Sequence, residues 1–384
     1  MQNPDSFSES KKDILDRARR VVIKVGSAVL ADKSGLDLRV VNRLADQIAL
    51  LRDQGRDVVL VSSGAMAAGR GVMHSRHVSE TLRCKQAVSA VGQSRLMHAY
   101  DEAFARYRKI TAQVLLTRED LKSRERFLNA RNTMLQLLQW QIIPVVNEND
   151  TVAVQELKFG DNDALASLVL NLVEADLFIN LTSADGVFDR NPREFPQACL
   201  LSEIEDIDGL AVERMCSGKT EQGTGGMYSK LISARRAAQI GVPTLILSGC
   251  NRFALEKAFA GENLGTLIRA GTRSIARRKF WLAYNLDPAG EIIMDGGAAR
   301  AVRERGKSLL PAGITAVKGE FGKGDMVRLL GESGEELGVG LSNYASEDLL
   351  RIKGHCSESI PEILGQALYT EAVHRDNMLL DAAL

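Results

Sequence analysis

Val21-Val22-Ile23-Lys24-Val25-Gly26-Ser27 is an apolar run interrupted by one lysine and closed by Gly-Ser. Apolar residues at consecutive rather than alternate positions mark a strand covered on both faces, as in the middle of a parallel sheet, and the Gly-Ser pair opens it into a loop. An unpartnered lysine buried in such a strand costs on the order of several kcal/mol. Lys24 therefore either meets an anion or reaches out of the strand's end along its aliphatic stem.

Working outward, residues 39–54 carry Val40, Leu44, Ile48 and Leu51 at helical spacing, with Gly55 at the position after the C-cap. A strand over 57–61 follows. It runs into Ser62-Ser63-Gly64-Ala65-Met66-Ala67-Ala68-Gly69, small residues that allow backbone N–H groups to approach a ligand or simply pack a tight turn. Residues 80–107 read as a long helix interrupted at Gly92. Strands over 111–116 and 142–146 alternate with a helix over 127–141, and the rhythm continues with a helix at 163–174, a strand at 177–181, a helix at 227–240 and a strand at 242–247. This predicts an α/β fold, a mainly parallel sheet sandwiched between helices, with ligands gathering beyond the carboxyl ends of the strands.

Three polar stretches fall at such ends. Asn147-Glu148-Asn149-Asp150 and Gly160-Asp161-Asn162-Asp163 bring acids and amides to a helix start, as a helix cap or as a site for a polar ligand. Gly223-Thr224-Gly225-Gly226-Met227-Tyr228-Ser229-Lys230 can curl backbone donors round a phosphate, with Lys230 in the first turn of a helix, although the Walker order is absent. The loop from Thr182-Ser183 to Arg193 is too long for a simple connection and reads as a segment that either covers a ligand or is disordered.

The chain has 384 residues, 45% hydrophobic and 26% charged, with 49 Lys plus Arg against 49 Asp plus Glu. This length favours two domains, and a net charge of zero argues against wrapping nucleic acid or an anionic membrane. Five scattered cysteines with no Cys-x-x-Cys pair read as reduced thiols in a cytoplasm, and five histidines without i, i+4 pairing give no zinc site. No apolar run nears the roughly 18 residues of a membrane span, and the polar start has no signal-peptide core. From about Arg273 the composition shifts to short Gly-bounded strands. The expected divisions are a disordered tail over 1–19, an α/β domain over 20–272, a linker over 273–279 and a small β-rich domain over 280–384 that ends in a C-terminal tail. Residues 277–384 hold 13 Lys plus Arg against 16 Asp plus Glu, a net of −3 that disfavours strong RNA binding.

Two lysines on separate elements, glycine-lined turns and an acidic cluster without a histidine base suit phosphoryl transfer, where positioning and charge neutralisation carry most of the catalysis. A carboxylate acceptor is already ionised at neutral pH and needs no general base.

At this point the chain resembles the glutamate 5-kinases of the amino acid kinase superfamily, with a C-terminal PUA domain. The likeness rests on Val22-Ile23-Lys24-Val25-Gly26, Ser63 to Gly69, Arg124-Glu125-Arg126-Phe127-Leu128-Asn129-Ala130-Arg131, Pro144 to Asp150, Gly160 to Asp163 and Gly223 to Lys230, in that order. It implies transfer of the ATP γ-phosphoryl group to the side-chain carboxylate of L-glutamate, with Mg2+, as the first step of proline synthesis, with proline as inhibitor. It also implies a PUA-like barrel and a homo-oligomer, dimer or tetramer. Carried over by position, Lys24 and Lys230 hold the phosphoryl group and Asp163 orients them. Ser63, Asp150 and Asn162 bind glutamate. Thr182, Ser183, Thr224, Gly225, Gly226 and Met227 join the two lysines at the nucleotide, and no protein ligand is assigned to a metal. Two positions depart from many relatives, Ser183 where they have Asp and Asn191 where Asp precedes Pro-Arg. The rivals are superfamily kinases acting on N-acetylglutamate, aspartate, carbamate, UMP or an isoprenoid phosphate, and an RNA-binding protein.

Overall fold

The computed structural model describes residues 9–32, 35–73, 81–153, 161–210, 212, 226–271, 288–365 and 369–380. The chain divides into two compact units, Met1–Ser274 and Ile275–Leu384.

The first unit is built on an eight-stranded sheet of β1 (Arg20–Val25), β2 (Asp57–Ser62), β3 (Thr111–Leu116), β4 (Ile143–Glu148), β5 (Leu177–Thr182), β6 (Glu203–Ile204), β7 (Thr244–Ser248) and β8 (Thr266–Ile268), in the order β6-β8-β7-β5-β1-β2-β4-β3. Every neighbouring pair is parallel except β7 with β8. β1 lies at the centre, with Lys24 beside Val61 of β2 and Asn180 of β5. Because side chains alternate along a strand, Val21, Ile23 and Val25 share one face. They enter a core with Leu44 and Ile48 of α3 (Leu38–Asp53) and Leu96, Tyr100 and Phe104 of α5 (Leu82–Ala105). Lys24 falls on the opposite face. That face is covered by α8 (Asp161–Leu172) and α9 (Met227–Gln239), which pack on each other. Each large apolar side chain buried in these layers contributes about 1.5–3 kcal/mol, so the strand's location is set by its apolar majority and the lysine is carried in with it.

Local signals place the helix ends. Asp37 accepts a hydrogen bond from the Arg39 N–H at the start of α3, and Gly55, just past its end, has φ 81°, the left-handed conformation that closes a helix without a Cβ clash. Gly92 behaves differently from expectation. α5 runs through it unbroken, and a Cβ there would lie 1.7 Å from the Ala65 carbonyl oxygen and 2.4 Å from the Gly69 nitrogen. The glycine is present because α4 (Ala65–Val72) crosses α5 at backbone contact, and a Cβ at Gly69 would likewise lie 2.0 Å from the Val88 carbonyl oxygen.

Residues 9–19 also differ from the disordered tail expected of them. Ser10 and Asp13 form a reciprocal capping box on α1 (Lys11–Arg17), which buries Ile14 and Leu15. Two apolar residues on one face are enough to dock so short a helix against α10 (Ala254–Phe259). The helix read over 127–141 starts earlier, as α6 (Arg118–Lys122) and α7 (Arg124–Gln139), capped by Thr117 and Ser123. The loop after β5 makes a short antiparallel pairing, Val187–Phe188 with Leu200–Leu201.

Among the described residues the second unit has five strands, β9 (Gly290–Met294), β10 (Ile314–Lys318), β11 (Met326–Gly331), β12 (Glu336–Leu341) and β13 (Met378–Leu380), in the order β10-β9-β11-β12-β13. Only β9 and β11 run parallel. Its own core gathers Ile292, Val327, Leu329, Leu349 and Ile352. No described helix is long and apolar enough to cross a membrane.

Candidate active site

The sheet edge formed by the carboxyl ends of β1, β2, β4 and β5 gathers the polar residues that interrupt these apolar strands. Lys24 Nζ lies 2.6 Å from Asp163 Oδ1, and Lys230 Nζ lies 3.4 Å from Asp163 Oδ2. All three are deeply buried, Lys24 4%, Asp163 1% and Lys230 5% exposed. Lys24 is held by β1, Asp163 by the first turn of α8 and Lys230 by the first turn of α9, so three elements far apart in sequence meet at one carboxylate.

Asn180 and Ser229 complete that carboxylate's shell. Asn180 Nδ2 donates to Oδ1 at 3.1 Å, and Ser229 Oγ donates to Oδ2 at 2.7 Å. Burial pushes the Asp163 carboxyl up, but Lys24, Lys230 and the hydrogen bonds outweigh it and hold the group below the usual aspartate range. Lys230 is pushed down, first by burial and also by Lys24, with Asp163 pulling the other way. Two buried ammonium groups share one carboxylate at the centre. A phosphate oxygen is the natural complement. α9 starts at Gly226 without a side-chain cap, and a Cβ at Gly226 would meet no described atom within 4 Å, so no described side chain caps the first N–H groups of this helix.

A second cluster adjoins the first through the neighbours Asn162 and Asp163. Asn162 Nδ2 donates to Ser63 Oγ at 2.8 Å, to Asn147 Oδ1 at 2.9 Å and to the Ser62 carbonyl at 3.3 Å. Its Oδ1 is buried with no partner among the described residues. Ser63 follows Ser62, whose hydroxyl meets the buried Tyr100 hydroxyl at 2.8 Å, and Gly64 turns the chain with φ 126°. Asp150 accepts a short hydrogen bond from Ser89 Oγ, and burial pushes its carboxyl up.

Of the residues expected from sequence, Lys24, Asp163 and Lys230 form one buried group, and Ser63 with Asn162 forms the adjoining one. Asp150 lies on the loop after β4, bonded to α5. Thr182 is buried at the end of β5 and Ser183 beyond it is exposed. Gly226 and Met227 open α9, while Thr224 and Gly225 lie outside the described residues. Asn180, Gln93 and Ser89 were not foreseen, and Asn147 and Ser229 fall within stretches read as ligand-binding without a role of their own. Asn180 carried a signal, an amide inside the otherwise apolar strand Leu177-Phe178-Ile179-Asn180-Leu181, and Ser229 directly precedes Lys230.

Residues 19–248 match the amino acid kinase family and residues 290–364 match the PUA domain. The chain is 58% identical to the glutamate 5-kinase of Maridesulfovibrio salexigens over 370 residues, 96% of this chain and 98% of that one. It is 57% identical to that of Nitratidesulfovibrio vulgaris, over 98% of this chain and 100% of the other, and 48% identical to that of Thermus thermophilus, over 94% and 97%. On these matches the chain belongs to the amino acid kinase family, among the glutamate 5-kinases with a C-terminal PUA domain.

Proposed function

We propose that this chain transfers the γ-phosphoryl group of ATP to the side-chain carboxylate of L-glutamate, giving L-glutamyl 5-phosphate and ADP, as the first step of proline synthesis in the cytoplasm. The observation that carries the reading is the pair of buried lysines sharing Asp163 at the carboxyl edge of the sheet. A glutamate carboxylate oxygen attacks the γ-phosphorus, a P–O bond forms, and the bond to the ADP oxygen breaks. No proton has to move, because the acceptor is ionised at neutral pH. Charge spreads over the equatorial oxygens, where Lys24 and Lys230 stabilise it, and Asp163 fixes both ammonium groups in place.

Thr182, Ser183, Thr224, Gly225, Gly226 and Met227 hold the nucleotide with the two lysines. Mg2+ would arrive with the nucleotide substrate and would supply charge neutralisation at its phosphates. No group of three or more His, Cys, Asp or Glu able to hold a metal occurs among the described residues, and both Asp163 oxygens are already engaged. Ser63, Asn162 and Asp150 bind glutamate, Asp150 facing its ammonium group. A carboxylate there favours a free amine over the acylated amine of N-acetylglutamate. Proline shares the ammonium and α-carboxylate of glutamate and inhibits by competing for these contacts, in a homodimer or homotetramer.

The test is a hydroxamate assay with ATP over glutamate, N-acetylglutamate, aspartate and carbamate. Glutamate should give the highest kcat/KM, and a preference for any other acceptor would overturn the assignment.

A further inference from the structure

Helix α5 carries Gln86, Ser89 and Gln93 at spacings of three and four, which places them on one stripe. Each bonds a successive point of the segment leaving β4. Gln93 Oε1 accepts from Asn147 Nδ2 at 2.8 Å, Ser89 Oγ donates to Asp150, and Gln86 Nε2 donates to the Ala153 carbonyl at 3.0 Å. α5 in turn is seated against α4 through the glycine contact at Gly69 and Gly92. A rigid helix thus holds the acceptor loop by its polar side chains.

The contact at Gln93 has a direction. A side-chain amide donates from one end and accepts at the other. With Gln93 Oε1 receiving Asn147 Nδ2, Asn147 turns its Oδ1 to Asn162 Nδ2, which also donates to Ser63 Oγ. The Ser62 carbonyl can only accept, and it holds Asn162 in the same sense from the other end. Two consequences follow for a ligand. Asn162 Oδ1 is left buried and unpartnered among the described residues, an acceptor awaiting a donor. The Ser63 hydroxyl, having accepted, keeps its own proton for an acceptor.

We propose that Gln93, nine-tenths buried, is a positioning residue for the acceptor substrate: through Asn147 it supports from the far end the polarity that the Ser62 carbonyl fixes at Asn162, so that the site offers Ser63 as a donor to a carboxylate oxygen and Asn162 as an acceptor to an ammonium group. This rests on the reading of the acceptor as glutamate, a zwitterion that presents both groups. A reversed relay would turn an amide donor toward the ammonium, and the site would repel the substrate it is shaped to hold.

The test uses the full chain with Gln93→Met, which keeps the volume and removes the acceptor, and Gln93→Glu, which keeps an oxygen facing Asn147. Gln93→Met should raise KM for glutamate about tenfold, the scale of one lost buried hydrogen-bond partner, with KM for ATP and kcat within about twofold of wild type. Gln93→Glu should recover most of that loss. If Gln93→Met does not fold by circular dichroism, Gln93→Ala is read for the same split. An unchanged KM for glutamate, or equal losses of kcat and both KM values in the Met and Glu variants, overturns the relay. A wild-type chain that makes no product from glutamate overturns the acceptor assignment and the relay with it, whereas productive wild type beside an indifferent Gln93→Met overturns the relay alone.

Discussion

Replacing Asp163 by Asn tests the centre most directly, because both lysines share this carboxylate. Oδ1 accepts from Lys24 at 2.6 Å and Asn180 at 3.1 Å, and Oδ2 accepts from Ser229 at 2.7 Å and Lys230 at 3.4 Å. An amide keeps one acceptor and turns a donor toward groups that are themselves donors, so at least one lysine is left facing an N–H. Removing one member of a buried ion pair costs roughly 3–5 kcal/mol. The loss falls toward the lower end because Lys230, already pushed down by burial, can shed its proton. A neutral lysine does not stabilise phosphoryl charge, so kcat should fall by about 100-fold or more, the scale of one lost transition-state donor. The residual rate should rise as pH is lowered and Lys230 regains its proton. Wild-type Asp163 has a folded pKa below its unfolded value, so its stability contribution is complete above about pH 4 and is lost as pH falls through the lowered value. The thermal-stability deficit of Asp163→Asn should therefore shrink in acid. Turnover is followed as ADP release with glutamate and ATP, and stability by thermal melting. Adding Lys24→Ala to Asp163→Asn should cost little beyond the worse single change, because the two act as a unit. A folded Asp163→Asn chain with kcat within about threefold of wild type would refute the role given to the carboxylate.

Asp150→Asn should raise KM for glutamate with a smaller change in KM for ATP. Since burial raises the Asp150 pKa, wild-type KM for glutamate should climb as pH falls through that raised value, and the Asn variant should lose this dependence. Gly92→Ala should destabilise the kinase unit by about 1–3 kcal/mol or more in denaturant titration, because its Cβ would enter the Ala65 carbonyl of α4, whereas a harmless substitution would show that the α4–α5 contact can open. A chain ending at Gly271, checked for folding by circular dichroism, should still phosphorylate glutamate, since every residue given a role lies between Lys24 and Lys230. A folded but inactive fragment would assign the second unit a part in the reaction.

The β1 run was legible because apolar residues at four of five consecutive positions have few physical solutions, and it carried the parallel sheet with it. Gly92 was misread because glycine's cost in a helix is local, while its reason for being there is the backbone of α4. The N-terminal helix had its signal in Ser10-x-x-Asp13, a capping box in a stretch too polar to suggest burial. Asn180 was visible as the one amide in an apolar strand, but only the register that sets it beside Lys24 and over Asp163 gives it a purpose.

By itself the sequence determined the alternation of strands and helices, the two-part division of composition and the presence of two lysines and an acid cluster at strand and helix ends. These follow from periodicity and propensity, which act over a few residues. Tertiary structure decided which side chains share a proton or a charge: that Asp163 serves both lysines, and that Asn162 faces Ser63 with its nitrogen and turns its oxygen away. Such pairings join residues tens to more than a hundred positions apart. Their direction depends on donor and acceptor atoms within about 3 Å of one another, a distance that local sequence pattern does not encode.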